Sequence, residues 1–242
     1  MLHKTRGLVF RTIRYSDSSV IVHVFTEMFG LRSYLVPGAR SKKAKIKAAL
    51  FQPLALIEIN VSNREKSSLH RISDLTSVQS WNNIAADIRK SSILLFLNEV
   101  LYKSIREEAP HTDLFLFISQ ALQMLELGTE NNPNFHLVFL SKLAGMLGFA
   151  PQGNYCPDTP IFNLAEGQFQ SHAPSHVHFM SDDASRIFNE ILNLNFENGH
   201  ELQMSGPQRR DLVRKMIEYY RLHIASVKEI KSQAVLEEVL GQ

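Results

Sequence analysis

The residues best suited to chemistry in this 242-residue chain are cations. Arg40, Lys42, Lys43, Lys45 and Lys47 place five positive charges within eight positions, with no acid among them. Mutual repulsion makes such a run costly to fold alone, whereas pairing it with phosphates releases counterions and gives salt-dependent binding. The neighbours Pro37, Gly38 and Ala39 are small enough to let the backbone approach a ligand. Arg6, Arg11, Arg14 and Arg32 extend the patch, and Phe10, Tyr15, Phe29 and Tyr34 are interleaved with it. Exposed rings in that setting stack on nucleic-acid bases. The candidate nucleic-acid-binding set is therefore Arg6, Arg11, Arg14, Arg32, Tyr34, Arg40, Lys42, Lys43, Lys45 and Lys47. The competing reading is a solvated loop and buried rings, because most aromatics in short strands belong to a core.

A second constellation, Cys156 with His172, His176 and His178, has the donor types of a tetrahedral zinc site, on which a metal-dependent hydrolase could be built. Its spacing speaks against that: there is no Cys-x-x-Cys pair, and the histidines lie on a Pro- and Ser-bearing stretch where solvated imidazoles are the simpler expectation. Cys156 precedes Pro157, with no adjacent His or helix start to lower its pKa, so no nucleophilic role is expected of it. The adjacent carboxylates Glu107-Glu108 and Asp182-Asp183 diverge on a helix and cannot easily share a proton or a metal. A Walker phosphate loop, Gly-x-Gly-x-x-Gly and Gly-x-Ser-x-Gly are all absent from the sequence. No catalytic residue, metal or cofactor is assigned, and the chain reads as a binder rather than an enzyme.

The elements that must position the cations are strands. Residues 1–80 carry 13 Lys or Arg against five acids, a balance of +8, and the remainder carries 13 against 19, a balance of −6. Such asymmetry suggests two modules with different partners. In the basic part, β-branched and aromatic runs at residues 7–15, 19–26, 31–36, 53–61 and 67–76 are separated by turn residues such as Gly30. Alternation puts Val20, Val22 and Val24 on one face and Ile21, His23 and Phe25 on the other. Five short strands in about eighty residues fit an OB-fold barrel. From Trp81 the spacing becomes helical: a long segment stopping before Pro110, a helix capped by Asp113 and ended by Gly128, and one from Pro133 ended by Gly148. Two more begin at Ser181-Asp182-Asp183 and at Pro207. The fold class is α+β, with an OB-fold domain at residues 1–80 and an α-helical domain at 81–242. The latter contains a small irregular subdomain at 149–180. With 44% hydrophobic and 21% charged residues the composition is that of a soluble globular protein, and one cysteine allows no internal disulfide. Neither a signal-peptide core nor a long uncharged apolar run is present, so the expected setting is cytoplasmic, with no membrane.

The string Gly7-Leu8-Val9-Phe10-Arg11-Thr12-Ile13-Arg14-Tyr15-Ser16-Asp17-Ser18-Ser19, followed by Phe25-Thr26-Glu27-Met28-Phe29-Gly30 and Pro37-Gly38-Ala39-Arg40, resembles the start of the bacterial RecO family of DNA repair proteins. Phe96-Leu97-Asn98-Glu99 and Leu147-Gly148-Phe149-Ala150-Pro151 match later, in order. The resemblance implies a nucleoid-associated recombination mediator that binds single- and double-stranded DNA and anneals complementary strands. It also implies the partners RecR, the acidic C-terminal tail of single-strand-binding protein and, indirectly, RecA. Many members of that family hold zinc through four cysteines after the Gly-Phe-Ala-Pro motif. Here Cys156 remains alone, with Asp158, Thr159 and Pro160 where a second cysteine belongs, so a metal-free subdomain is expected, its staple replaced by Ile161, Phe162 and Phe169. On this view the barrel face and the loop at residues 40–47 grip the phosphates of two strands while the helical part recruits proteins. The alternative is an OB-fold adaptor whose basic patch meets RNA or an acidic protein tail.

Overall fold

The computed structural model describes residues 2–41, 46, 48–62, 69–128 and 132–240. The chain divides into two compact units, Met1–Glu126 and Leu127–Gln242.

In the first unit the predicted strand runs form β1 (Leu2–Arg14), β2 (Val20–Thr26), β3 (Gly30–Val36), β4 (Leu56–Ser62) and β5 (His70–Gln79). They close into a barrel in the order β1-β2-β3-β5-β4, with β3 and β5 parallel and the other neighbours antiparallel. β1 is long because it serves two partners: residues 2–8 pair with β4 and residues 7–14 with β2. The alternation read in β2 holds. Val20, Val22 and Val24 point inward, where Val9, Ile57, Ile59 and Val61 complete the core. Gly30 takes the positive φ that the turn before β3 requires, 65°.

The helical stretch before Pro110 is two helices, α1 (Asn82–Ala86) and α2 (Ile88–Ser104). Asp87 separates them: its backbone is extended, and its carboxylate accepts the N–H groups of Arg89 and Lys90 to start α2. α3 (Thr112–Leu127) holds Asp113 in its first turn rather than at the cap. The capping acceptor is His111, whose Nδ1 takes the Leu114 N–H at 3.2 Å. These helices join the barrel unit through bonds such as Asn98 Nδ2 to the Phe10 carbonyl at 3.1 Å and Trp81 Nε1 to the Leu54 carbonyl at 2.9 Å.

The second unit comprises α4 (Phe135–Met146), β6 (Ile161–Asn163), β7 (Gln168–Gln170), β8 (Phe179–Met180), α5 (Asp182–Asn193), α6 (Gly206–His223) and α7 (Ser232–Leu240). The stretch read as irregular thus carries a small sheet, ordered β7-β6-β8. Phe162 on β6 is fully buried and its ring meets Phe169, Phe188 and Tyr219. α6 begins as read, with Pro207 in its first turn and a reciprocal capping box between Ser205 and Gln208. Ser181 stands at the start of α5 without a side-chain cap bond. α7 has no counterpart in the sequence reading.

Candidate nucleic-acid interface

The barrel sorts the candidate cations by what already neutralises them. Arg6 forms a two-pronged pair with Glu27, Nε to Oε2 at 2.9 Å and Nη2 to Oε1 at 2.7 Å, and its guanidinium lies over Phe115. The bond from Arg6 holds the Glu27 carboxyl below its ordinary pKa, and Glu27 in turn raises that of Arg6. Arg32 donates to the Glu108 carboxylate and, at 2.8 Å, to the Glu108 carbonyl. Both belong to the cations grouped as binding on sequence alone, and each is paired with a carboxylate in the fold. Tyr34 requires a correction. It is 1% exposed in the barrel core, where burial pushes its hydroxyl up to about 12, so its ring has no free face for a base. The alternation of β3 is the reason, because Tyr34 pairs with the inward Val22. Phe10 is buried as well, whereas Tyr15 is 61% exposed.

Two arginines gather at the turn between β1 and β2. Arg14 Nη2 approaches Asp17 Oδ1 at 3.3 Å, and Arg40 Nη1 donates to the Asp17 carbonyl at 3.2 Å. The Arg40 N–H also donates to the Ser18 carbonyl at 3.0 Å, which seats the start of the basic loop against this turn beside Tyr15. Exposed ion pairs such as Arg14–Asp17 contribute little and exchange readily for another anion. Lys42, Lys43, Lys45 and Lys47 lie outside the described residues.

Arg11 reaches the outer surface through an irregularity. Val9 pairs with Val24, yet Arg11 pairs with His23, so Phe10 is the extra residue of a β-bulge. Regular alternation would turn Arg11 inward with Val9; the bulge sets it beside the outward His23 instead. There its guanidinium lies 5.5 Å from the ring centroid of Tyr102 on α2, with Nη1 3.5 Å from the hydroxyl. Arg106, just past α2, lies 5.2 Å from the same centroid. The His23 ring packs edge-on against Tyr102, and its Nδ1 meets Ser33 Oγ at 3.1 Å. Burial, then the charges of Arg11 and Arg106, hold His23 below its ordinary pKa. Tyr102, Arg106 and His23 were missed in the sequence. The available signal was the cation Arg106 four residues after Tyr102, close in sequence although α2 ends between them.

The family model described as "Recombination protein O N terminal" matches residues 1–81, and "Recombination protein O C terminal" matches residues 85–233. Among similar proteins, "DNA repair protein RecO" of Bacteroides fragilis is 38% identical over 240 residues, covering 99% of each chain. The protein of the same name from Phocaeicola vulgatus is 37% identical over 242 residues, covering 100% of each. That from Flavobacterium psychrophilum is 34% identical over 240 residues, covering 98% of this chain and 99% of its own. The chain belongs to the RecO family.

Membership of the RecO family gives it a role in DNA repair and recombination, as a mediator. Among the described residues no helix is long and apolar enough to cross a membrane. The zinc that the resemblance attaches to the segment after Pro151 does not fit the side chains there. Cys156 Sγ lies 3.1 Å from Thr159 Oγ1 in a tight turn. His172 meets Ser171, His176 Nδ1 accepts the His178 N–H, and His178 Nδ1 meets Glu218 at 2.6 Å. No group of three or more His, Cys, Asp or Glu side chains among the described residues is arranged to hold a metal ion. Cys156 departs from expectation in one respect: the Thr159 hydroxyl and the Asp158 N–H hold its thiol below the usual pKa without any His or helix start.

Proposed function

We propose that the protein binds single- and double-stranded DNA through its basic barrel, anneals complementary strands and acts without catalysing a reaction. With RecR it then helps load RecA onto DNA coated by single-strand-binding protein, whose acidic tail it also engages. The observation that carries this reading is the convergence of Arg14 and Arg40 on the Asp17 turn; the four lysines at 42–47 follow Arg40 in the sequence. One end of the barrel thereby concentrates cations that can exchange a weak, exposed partner for phosphates. Neutralising two backbones at once lowers their repulsion and leaves the bases free to pair. Residues 1–80 are assigned the DNA and residues 81–242 the protein partners, in a cytoplasmic, nucleoid-associated protein. The test is annealing of complementary strands coated with single-strand-binding protein, with and without RecR. Acceleration by this protein, enhanced or redirected by RecR, is the expected result; failure to bind DNA or to anneal overturns the reading. Competition between single-stranded DNA, RNA and an acidic peptide separates it from the adaptor alternative.

A further inference from the structure

The exposed or half-exposed arginines of the first unit differ in what partners them. Arg6, Arg14 and Arg32 each have a carboxylate partner. Arg11 and Arg106 have none among the described residues, yet the fold brings both guanidiniums to a single ring. Two like charges drawn together without an acid are an arrangement that a bound anion completes. Three independent devices build it: the bulge at Phe10 that turns Arg11 outward, the placing of Tyr102 on α2, and the position of Arg106 where α2 has just ended. His23, next to Arg11 across the β1–β2 pair, is exposed to the same positive field.

We propose that Arg11 and Arg106, aligned on Tyr102, form a phosphate-binding station for the sugar–phosphate backbone of nucleic acid. Resting on the DNA-binding reading above, it specifies the route of the strand: from the Arg14–Arg40 turn, the backbone follows β1 to the end of α2, about 10 Å away at the rise of an extended strand. Arg6 and Arg32 are already paired with the carboxylates of Glu27 and Glu108. Tyr102 is a positioning residue. Its ring already carries two guanidiniums, so its contribution is to orient them rather than to stack on a base.

The test uses the full chain and oligothymidylate as the probe, with R106Q, R11Q, the double variant and Y102F, each confirmed as folded by circular dichroism. Every station phosphate released from a protein contact should reduce the slope of log affinity against log salt by about 0.7 for a single strand. R106Q and R11Q are each expected to show that reduction, the double variant roughly twice it, and Y102F none. Bound backbone should also raise the His23 pKa, followed through its imidazole protons by NMR, because a neighbouring anion favours the imidazolium. That rise should vanish in the double variant. Oligothymidylate binding with an unchanged slope in the double variant overturns the station and leaves the DNA-binding reading intact. Absence of binding by the unaltered protein overturns both. A polyglutamate peptide that raises the His23 pKa where oligothymidylate does not overturns the assignment to nucleic acid.

Discussion

Glu126, near the end of α3, accepts the backbone N–H of Ile84 at 2.9 Å across 42 residues of sequence. Its other carboxylate oxygen takes the Asn83 N–H at 2.9 Å. Trp81, at the cap of α1, supplies no side-chain acceptor, so a distant carboxylate caps this helix. Glu126 is 5% exposed and depends on those bonds for its solvation. Replacement of Glu126 by Ala is expected to cost about 2–3 kcal/mol, and E126Q less, since it keeps one acceptor oxygen. Denaturant unfolding at neutral pH provides the measurement.

Gly30 closes the turn into β3 where the linker after α2 crosses it. A Cβ at this position would collide with the carbonyl oxygens of Ala109 and Glu107. The neighbouring Leu31 N–H donates to that Glu107 carbonyl at 3.0 Å, so the linker cannot retreat without losing a bond. Together with the φ of 65°, this predicts a loss of about 1–3 kcal/mol for G30A. A melting temperature equal to that of the unaltered chain would show that the crossing carries no constraint.

His136 on α4 is fully buried, and burial, assisted by the charge of Arg209, pushes its pKa down to about 3. An unfolded histidine binds a proton below about 6.5. The native state declines that proton, so the stabilising effect is present above pH 6.5 and fades as the pH falls toward 3. Each unit in that window removes about 1.4 kcal/mol. H136L should unfold with a pH dependence shallower by one proton between pH 6 and 4, whatever its baseline stability. Parallel slopes for the two proteins would count against a native-state neutral imidazole.

Reversal of Lys42, Lys43, Lys45 and Lys47 to Glu is expected to weaken DNA binding on all sequences alike and to flatten its salt dependence. R6Q is the informative contrast. Its partner Glu27 is already in place, so the substitution should lower stability and leave the salt slope nearly unchanged. Equal affinity of the lysine variant at two salt concentrations removes the loop from the interface.

Much of the barrel was legible because its signals are local. The period-two pattern of Val20, Val22 and Val24 needs no distant partner to be read, and neither does Pro207 in the first turn of α6. Where a decisive partner is remote, the reading failed: Asp113 looked like a cap until His111 took the bond, and the helix before Pro110 looked continuous until Asp87 capped its second half. The short strands of the second unit escaped notice because two or three residues are too few to display alternation.

For the interface, the sequence by itself determined that the N-terminal eighty residues are basic and that five cations crowd residues 40–47, since charge is a property of composition and order. Tertiary structure alone decided which cations remain available. Glu27 lies 21 residues from Arg6 and Glu108 lies 76 from Arg32, while Tyr102 lies 91 from Arg11. Neutralisation acts over a few ångströms of space, and closing the barrel onto α2 sets those distances. A single extra residue at Phe10 decides whether Arg11 faces the core or the solvent.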